Sequence, residues 1–193
     1  MGQKPLTLER RHMFTTEFCS TLDTLIKDIH FSQRIIVNPP HKQLPPNIDN
    51  IVEIAQIIKM KSDNIINNQF VATVSAYIQD HYPSDKAFYD TADISKQTFS
   101  NFMSEKNLPS RNTLISILFA MKLPIEEIQL ILNDYGYRLS DNNSRDKLLT
   151  VIYTHSLQSQ ISFSVKDINN YILDYSLKHN VDIKPLSTNS FLK

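Results

Sequence analysis

Phe14, Phe18, Leu22, Leu25, Ile26 and Ile29 recur at spacings of three and four. That is the period of one helix face, and it predicts a first helix over roughly residues 7–31. "NPPHKQLPPN" follows, where Pro39, Pro40, Pro45 and Pro46 forbid a regular helix and predict a stiff connector. Ile48, Ile51, Ile54, Ala55 and Ile58 form the next apolar face. Ser62 or Asp63 is placed to cap a further helix carrying Ile66, Phe70, Val74, Tyr77 and Ile78, which must end before Pro83.

Beyond Pro83 the elements become short and closely punctuated. Ser84 caps a helix over "DKAFYDTA", Asp93 and Ile94 make a turn, and Ser95 caps "KQTFSNFMSE". "KNLPS" reads as a loop and "RNTLISILFAM" as a helix. "PIEEIQLILNDY" has Pro124 at its first turn and two glutamates near the positive end of its dipole. Gly136 predicts a left-handed end to that helix. Leu148, Leu149 and Ile152 mark one more helix, and "SVKDINNYILDY" the last, with Ser164 and Asp167 at the positions of a capping box. The tail "KPLSTNSFLK" reads as polar and loosely held. The predicted class is all-α, divided as residues 1–47 (helix and linker), 48–139 (the short-helix domain with its leading helices) and 140–193 (a two-helix extension and tail).

The order helix, tight turn, helix, loop, helix, turn, helix from Ser84 to Leu132 resembles the lambda-repressor-like, or XRE-type, helix-turn-helix domain. "DIS" at 93–95 stands where that family has Gly-Val-Ser, "TFS" at 98–100 where it has Thr-Ile-Ser. "PSRNTL" at 109–114 matches its Pro-Ser-x-x-Thr-Leu, and "LPIEEI" its Val-Ser-x-x-Glu-Leu. "NDYGYRLS", "RDKLLTVIY" and "VKDINNYI" are similar to a bacterial variant with two extra C-terminal helices, over about residues 84–176. That variant is carried at the C-terminus of varied bacterial proteins, some linked to phage conflict.

The resemblance implies that Lys96, Gln97, Thr98 and Asn101 read base edges, and that Ser95, Lys106, Arg111 and Asn112 meet phosphates. Gln and Asn suit adenine and Lys suits guanine. Departures pull the other way. Asp85 replaces a phosphate-binding Gln, Tyr89 replaces the small residue where the two helices pack, and Asp93 replaces the turn Gly and adds negative charge near the DNA face.

Composition narrows the picture. The chain has 20 Lys+Arg against 20 Asp+Glu. Over 84–139, six basic residues (Lys86, Lys96, Lys106, Arg111, Lys122, Arg138) face seven acidic ones (Asp85, Asp90, Asp93, Glu105, Glu126, Glu127, Asp134), a net of −1. Phosphate contacts supply most non-specific DNA affinity, so such a domain binds weakly without help, for example as a homodimer. Two glycines exclude a Gly-rich phosphate loop, and the six histidines and Cys19 lack metal-ligand spacing. No Ser–His–Asp or Cys–His pairing supports catalysis, so no enzyme and no cofactor is expected. One cysteine and no apolar run of membrane-spanning length point to a cytoplasmic protein with no membrane partner.

The function expected is a bacterial or phage transcriptional regulator that binds double-stranded DNA as a dimer. The alternative is a protein-interaction module in a phage-conflict system: a defence adaptor, or an inhibitor of a nuclease complex such as an anti-CRISPR. The N-terminal helices then either pack on the domain or offer an apolar face to a protein partner.

Overall fold

The computed structural model describes residues 14–30, 49–105 and 107–187, with side chains at all of them except 25, 27–30 and 49–64. Among these residues every regular element is a helix: α1 (Thr16–His30), α2 (Asp49–His81), α3 (Asp85–Thr91), α4 (Lys96–Met103), α5 (Arg111–Ala120), α6 (Ile125–Asp134), α7 (Ser144–Gln158) and α8 (Val165–His179). The all-α class follows. The start of the first predicted helix (7–13), the Pro-rich connector and the last residues of the tail (188–193) lie outside the described residues, as does Ile48.

The helix starts follow the caps read from the sequence. Ser84 and Ser95 each accept the N–H three residues on, from Ala87 and Thr98, and Ser110, read only as part of a loop, does the same for Thr113. Ser164 and Asp167 form the reciprocal capping box. Pro124 stands one place earlier than the first turn, at the cap of α6, where its missing N–H costs nothing. One expectation fails. Ser62 and Asp63 cap nothing, because α2 runs unbroken through them for 33 residues. No Pro or Gly occurs between 49 and 81. A cap-type residue starts a helix only where a previous one has stopped, and mid-helix Ser and Asp cost only tenths of a kcal/mol, up to ~0.7.

Helix ends are less legible. Gly136 takes the left-handed conformation expected of it, φ 72°. Its N–H donates to Asn133 O and that of Tyr137 to Leu132 O, the paired closure of a Schellman motif. Asp93, Glu105, Lys122, Gln160 and Asn180 also have φ between 52° and 56°. At Asp93 the same two bonds form, from Asp93 N to Asp90 O and from Ile94 N to Tyr89 O. The α3–α4 turn is therefore a glycine-type helix end built on aspartate.

α5 is the centre of the molecule: every residue from Leu114 to Met121 is buried. Phe119 stacks on Tyr153 of α7, rings parallel within 9° and centroids 3.9 Å apart. α3, α6 and α8 also pack on α5. The far half of α2 joins through Phe70, whose ring meets Phe102 of α4 and Tyr135, and through Asn67, which accepts from the Tyr135 hydroxyl at 3.1 Å. α1 packs within the chain, on α7, burying Phe18, Leu22 and Ile26, with the His155 ring stacked on Phe18. Asp23 of α1 accepts from the Tyr171 hydroxyl and pairs with Lys178, both on α8. One continuous cluster of buried side chains runs from Phe18 to Leu186. The first residues of the tail are part of it: Pro185 and Leu186 are buried, against the expectation of a loose end.

Lys122, in the turn between α5 and α6, sends its ammonium over the Phe163 ring, 3.0 Å from the centroid. Burial pushes its pKa down to about 8, with Asp167 pulling the other way. Between that value and the ordinary 10.5, the unfolded chain holds a proton that the folded chain has lost. Stability from this group therefore rises with pH across the window. Against Lys122→Met, the wild type is expected to gain about 2–3 kcal/mol between pH 7.5 and 10. Urea unfolding of both proteins at each pH measures it, and the tyrosines, common to both, cancel.

Candidate nucleic-acid interface

α4 exposes one face and buries the other for a simple reason. Phe99 and Phe102, three apart, turn inward beside Phe88 and Phe70, so the residues between them face out. Tyr89, in the place expected of a small residue, lies half-buried with its ring 5.6 Å from Phe99. Lys96, Gln97, Ser100 and Asn101 are exposed and Thr98 is half-buried. Ser95 is committed to its cap: its Oγ accepts the Thr98 N–H at 3.0 Å and lies 2.8 Å from the Thr98 hydroxyl.

Gln97 and Asn101, one turn apart, are joined. The Gln97 Nε2 donates to Asn101 Oδ1 at 2.8 Å. This leaves the Gln97 carbonyl as an acceptor and the Asn101 amino group as a donor, side by side on an exposed surface. Adenine in a major groove offers the matching pair, an N6 donor and an N7 acceptor.

The acidic residues sort differently from the sequence expectation. Asp93 is not on this face. Its side chain is buried, 9 % exposed, and accepts from Asn169 Nδ2 of α8 at 2.7 Å. The amide of Asn169 in turn accepts the Leu186 N–H at 2.8 Å. The left-handed φ of Asp93 swings its Cβ inward, where α8 supplies a donor. Asp85 and Asp90 remain exposed on α3, and Asp90 is paired with Lys86 one turn earlier.

The residues expected at phosphates also divide. Lys106 lies outside the described residues. Arg111 donates to the Arg138 carbonyl at 2.7 and 3.2 Å and to Asp146 Oδ2 at 2.6 Å. Asn112 accepts from Arg145 at 3.2 Å. Both start α5 and are half-buried, tied to the segment after α6 and to α7.

Three polar residues that organise the site were missed in the sequence: Asp146, Arg145 and Asn169. The one available signal was a polar residue at a core position. Asn169 falls between Ile168 and Ile172 on the inner face of α8, and Asp146 two before Leu148. No known family, curated protein or solved structure matches this chain. Among the described residues no group of His, Cys, Asp and Glu is arranged to hold a metal ion, and no helix is long and apolar enough to cross a membrane.

Proposed function

We propose that the chain is a helix-turn-helix DNA-binding protein of the lambda-repressor-like kind, and that α4 reads bases in the major groove. The observation that carries this is the Gln97–Asn101 pair, with its spare acceptor and donor, set beside Lys96 at an exposed helix N-terminus. A helix N-terminus favours an approaching phosphate. The inward turn of Asp93 supports the reading, because it removes one of the charges that would repel DNA. In this reading Lys96, Gln97, Thr98 and Asn101 face the bases. Ser95 and Lys106 flank the phosphates, while Arg111 and Asn112 serve through the shape of α5. The protein acts as a homodimer, which doubles the few phosphate contacts, and regulates transcription.

A gel shift on the DNA upstream of the protein's own gene, across a salt series, tests it. Binding is expected at low salt, weakening as salt rises. Lys96→Ala with Gln97→Ala is expected to cut affinity by about ten-fold or more. Gln97→Ala alone should match Asn101→Ala, since either breaks the pair. No shift at the lowest salt, or an unaltered shift in the double variant, would sink the reading.

One observation favours a second reading, a protein-interaction module such as a defence adaptor or nuclease inhibitor. Three of the four residues expected at phosphates, Ser95, Arg111 and Asn112, already have partners within the chain. A partner retained through a high-salt wash, with no DNA shift, would establish it.

A further inference from the structure

The outer face of α2 carries no charge over most of its length. From Asn64 to Gln79 the sequence has no Asp, Glu, Lys or Arg. Phe70, Val71, Val74 and Ile78 account for the inner side, where they are buried in the core. The outer side is exposed at Ile65, Gln69, Ala72, Thr73, Ala76 and Gln79. A helix face in water ordinarily bears charged residues. Loss of charge marks instead the centre of an interface. Ile65 agrees with this, since 59 % of it is exposed with nothing apolar around it to explain its place.

The register of α2 extends the face. The helix runs unbroken from Asp49 to His81. Counted at the helical period, Ile51, Ile54 and Ile58 fall on the side of Ile65, opposite the side that Phe70 and Val74 bury. Ile51, Ile54, Ile58, Lys61, Ile65, Asn68 and Ala72 follow one another at alternating steps of three and four. That is the seam of a coiled coil, with β-branched Ile at every first position as far as Ile65. From Ile51 to Gln79 the strip is about 40 Å long.

We infer that this strip is the interface with a second copy of the same chain, helix α2 lying against helix α2. Charge selects that partner. DNA or a charged peptide needs opposite charges, and the strip has only Lys61 to offer. The positions flanking the seam, where coiled coils accept or reject partners, are Ala55, Ile57, Ser62, Asn64 and Gln69. All are uncharged, so two copies meet without repulsion there. The amides of Gln69 and Gln79 each hold a donor and an acceptor, which makes them complementary to their own kind. Ala72 and Ala76 are small and let a second helix approach closely. The polar Lys61 and Asn68 in the seam fix its alignment and weaken it, so the pairing is reversible. The inference deepens the DNA reading, on which it rests for the purpose of the homodimer. The interface leaves α4 free, because α4 meets α2 on the opposite side, through Phe102 and Phe70.

Sedimentation equilibrium of the full chain without DNA tests it. A reversible species of twice the 22.3 kDa chain mass is expected, with Kd on the order of 10 μM. Ile65→Glu and Ala72→Glu, both at exposed positions, should each weaken the dimer about ten-fold or more, since two copies then bring like charges together. Their far-UV circular dichroism, measured on the dilute monomer, should match the wild type. Lys61→Leu removes the one charge from the seam and should tighten the dimer by about ten-fold. A chain that stays monomeric at the highest concentration overturns the inference, whether another segment or another protein covers the strip. A dimer that either glutamate leaves intact, or that Lys61→Leu does not strengthen, overturns it as well. The gel shift on DNA separates the two readings. A dimer that responds to all three variants and shifts no DNA keeps this interface and removes the DNA reading. A DNA shift by a chain that is monomeric when free does the reverse.

Discussion

Phe119→Ala is expected to cost about 3–5 kcal/mol of folding stability. The ring is fully buried and lies flat on Tyr153. Tyr153 cannot move into the space left, because its hydroxyl is held by the Leu123 carbonyl at 2.6 Å. The cavity therefore stays open, which puts the cost at the upper part of the range for such truncations. Domains of this size have about 5–15 kcal/mol in total. The variant should unfold at a much lower urea concentration, with α7 and α1 losing their support together. Chemical denaturation followed by far-UV circular dichroism reads this directly. A midpoint within error of the wild type would mean that α5 and α7 are not the joint core described here.

The second large effect belongs to Arg111. Its guanidinium pairs with an Asp146 carboxylate that is 4 % exposed. Removing one partner of a buried pair leaves a charge without compensation and costs about 3–5 kcal/mol. The Arg111 side chain is itself 27 % exposed, and the Ser140 N–H still donates to the same oxygen, so Arg111→Ala should fall near the lower end. Asp146→Asn in the same chain is expected to recover much of the loss, since no charge is then buried. A double-mutant cycle in urea measures the coupling, and additive losses would show that the pair does not act as one. The cycle also bears on the sequence expectation for this residue. An arginine used only at phosphate would change DNA affinity and leave stability alone.

Much of the fold was legible in the chain because helix starts are local. A serine side chain bonds an N–H three residues away, and Ser84, Ser95 and Ser164 could each be read in isolation. Helix ends were less so. Only Gly136 advertised its left-handed φ, while Glu105, Lys122 and Gln160 adopt it with side chains that give no hint. The backbone there bears a cost of about 1–2 kcal/mol per residue that the surrounding packing must offset. The same locality explains what was seen and missed in the candidate site. The exposed side of α4 followed from Phe99 and Phe102, three residues apart. The direction of Asp93 did not, because its partner comes from another helix. The internal partner of Arg111 was hidden for the same reason: nothing within a few residues of it foretold Asp146.

The link from Asp93 to Asn169 spans 76 residues. That distance has a meaning in time. As the chain leaves the ribosome, α3 and α4 emerge early and their own hydrogen bonds can form at once. The amide that receives the Asp93 carboxylate is synthesised much later, and the Leu186 N–H that fixes that amide later still. Until then the Asp93 carboxylate lacks the bond from that amide, and the turn stays open to water on the side that α8 will cover. The crossing of the two short helices is thus a late event in the birth of the molecule, set when the end of α8 and the strand of chain beyond it close over the turn.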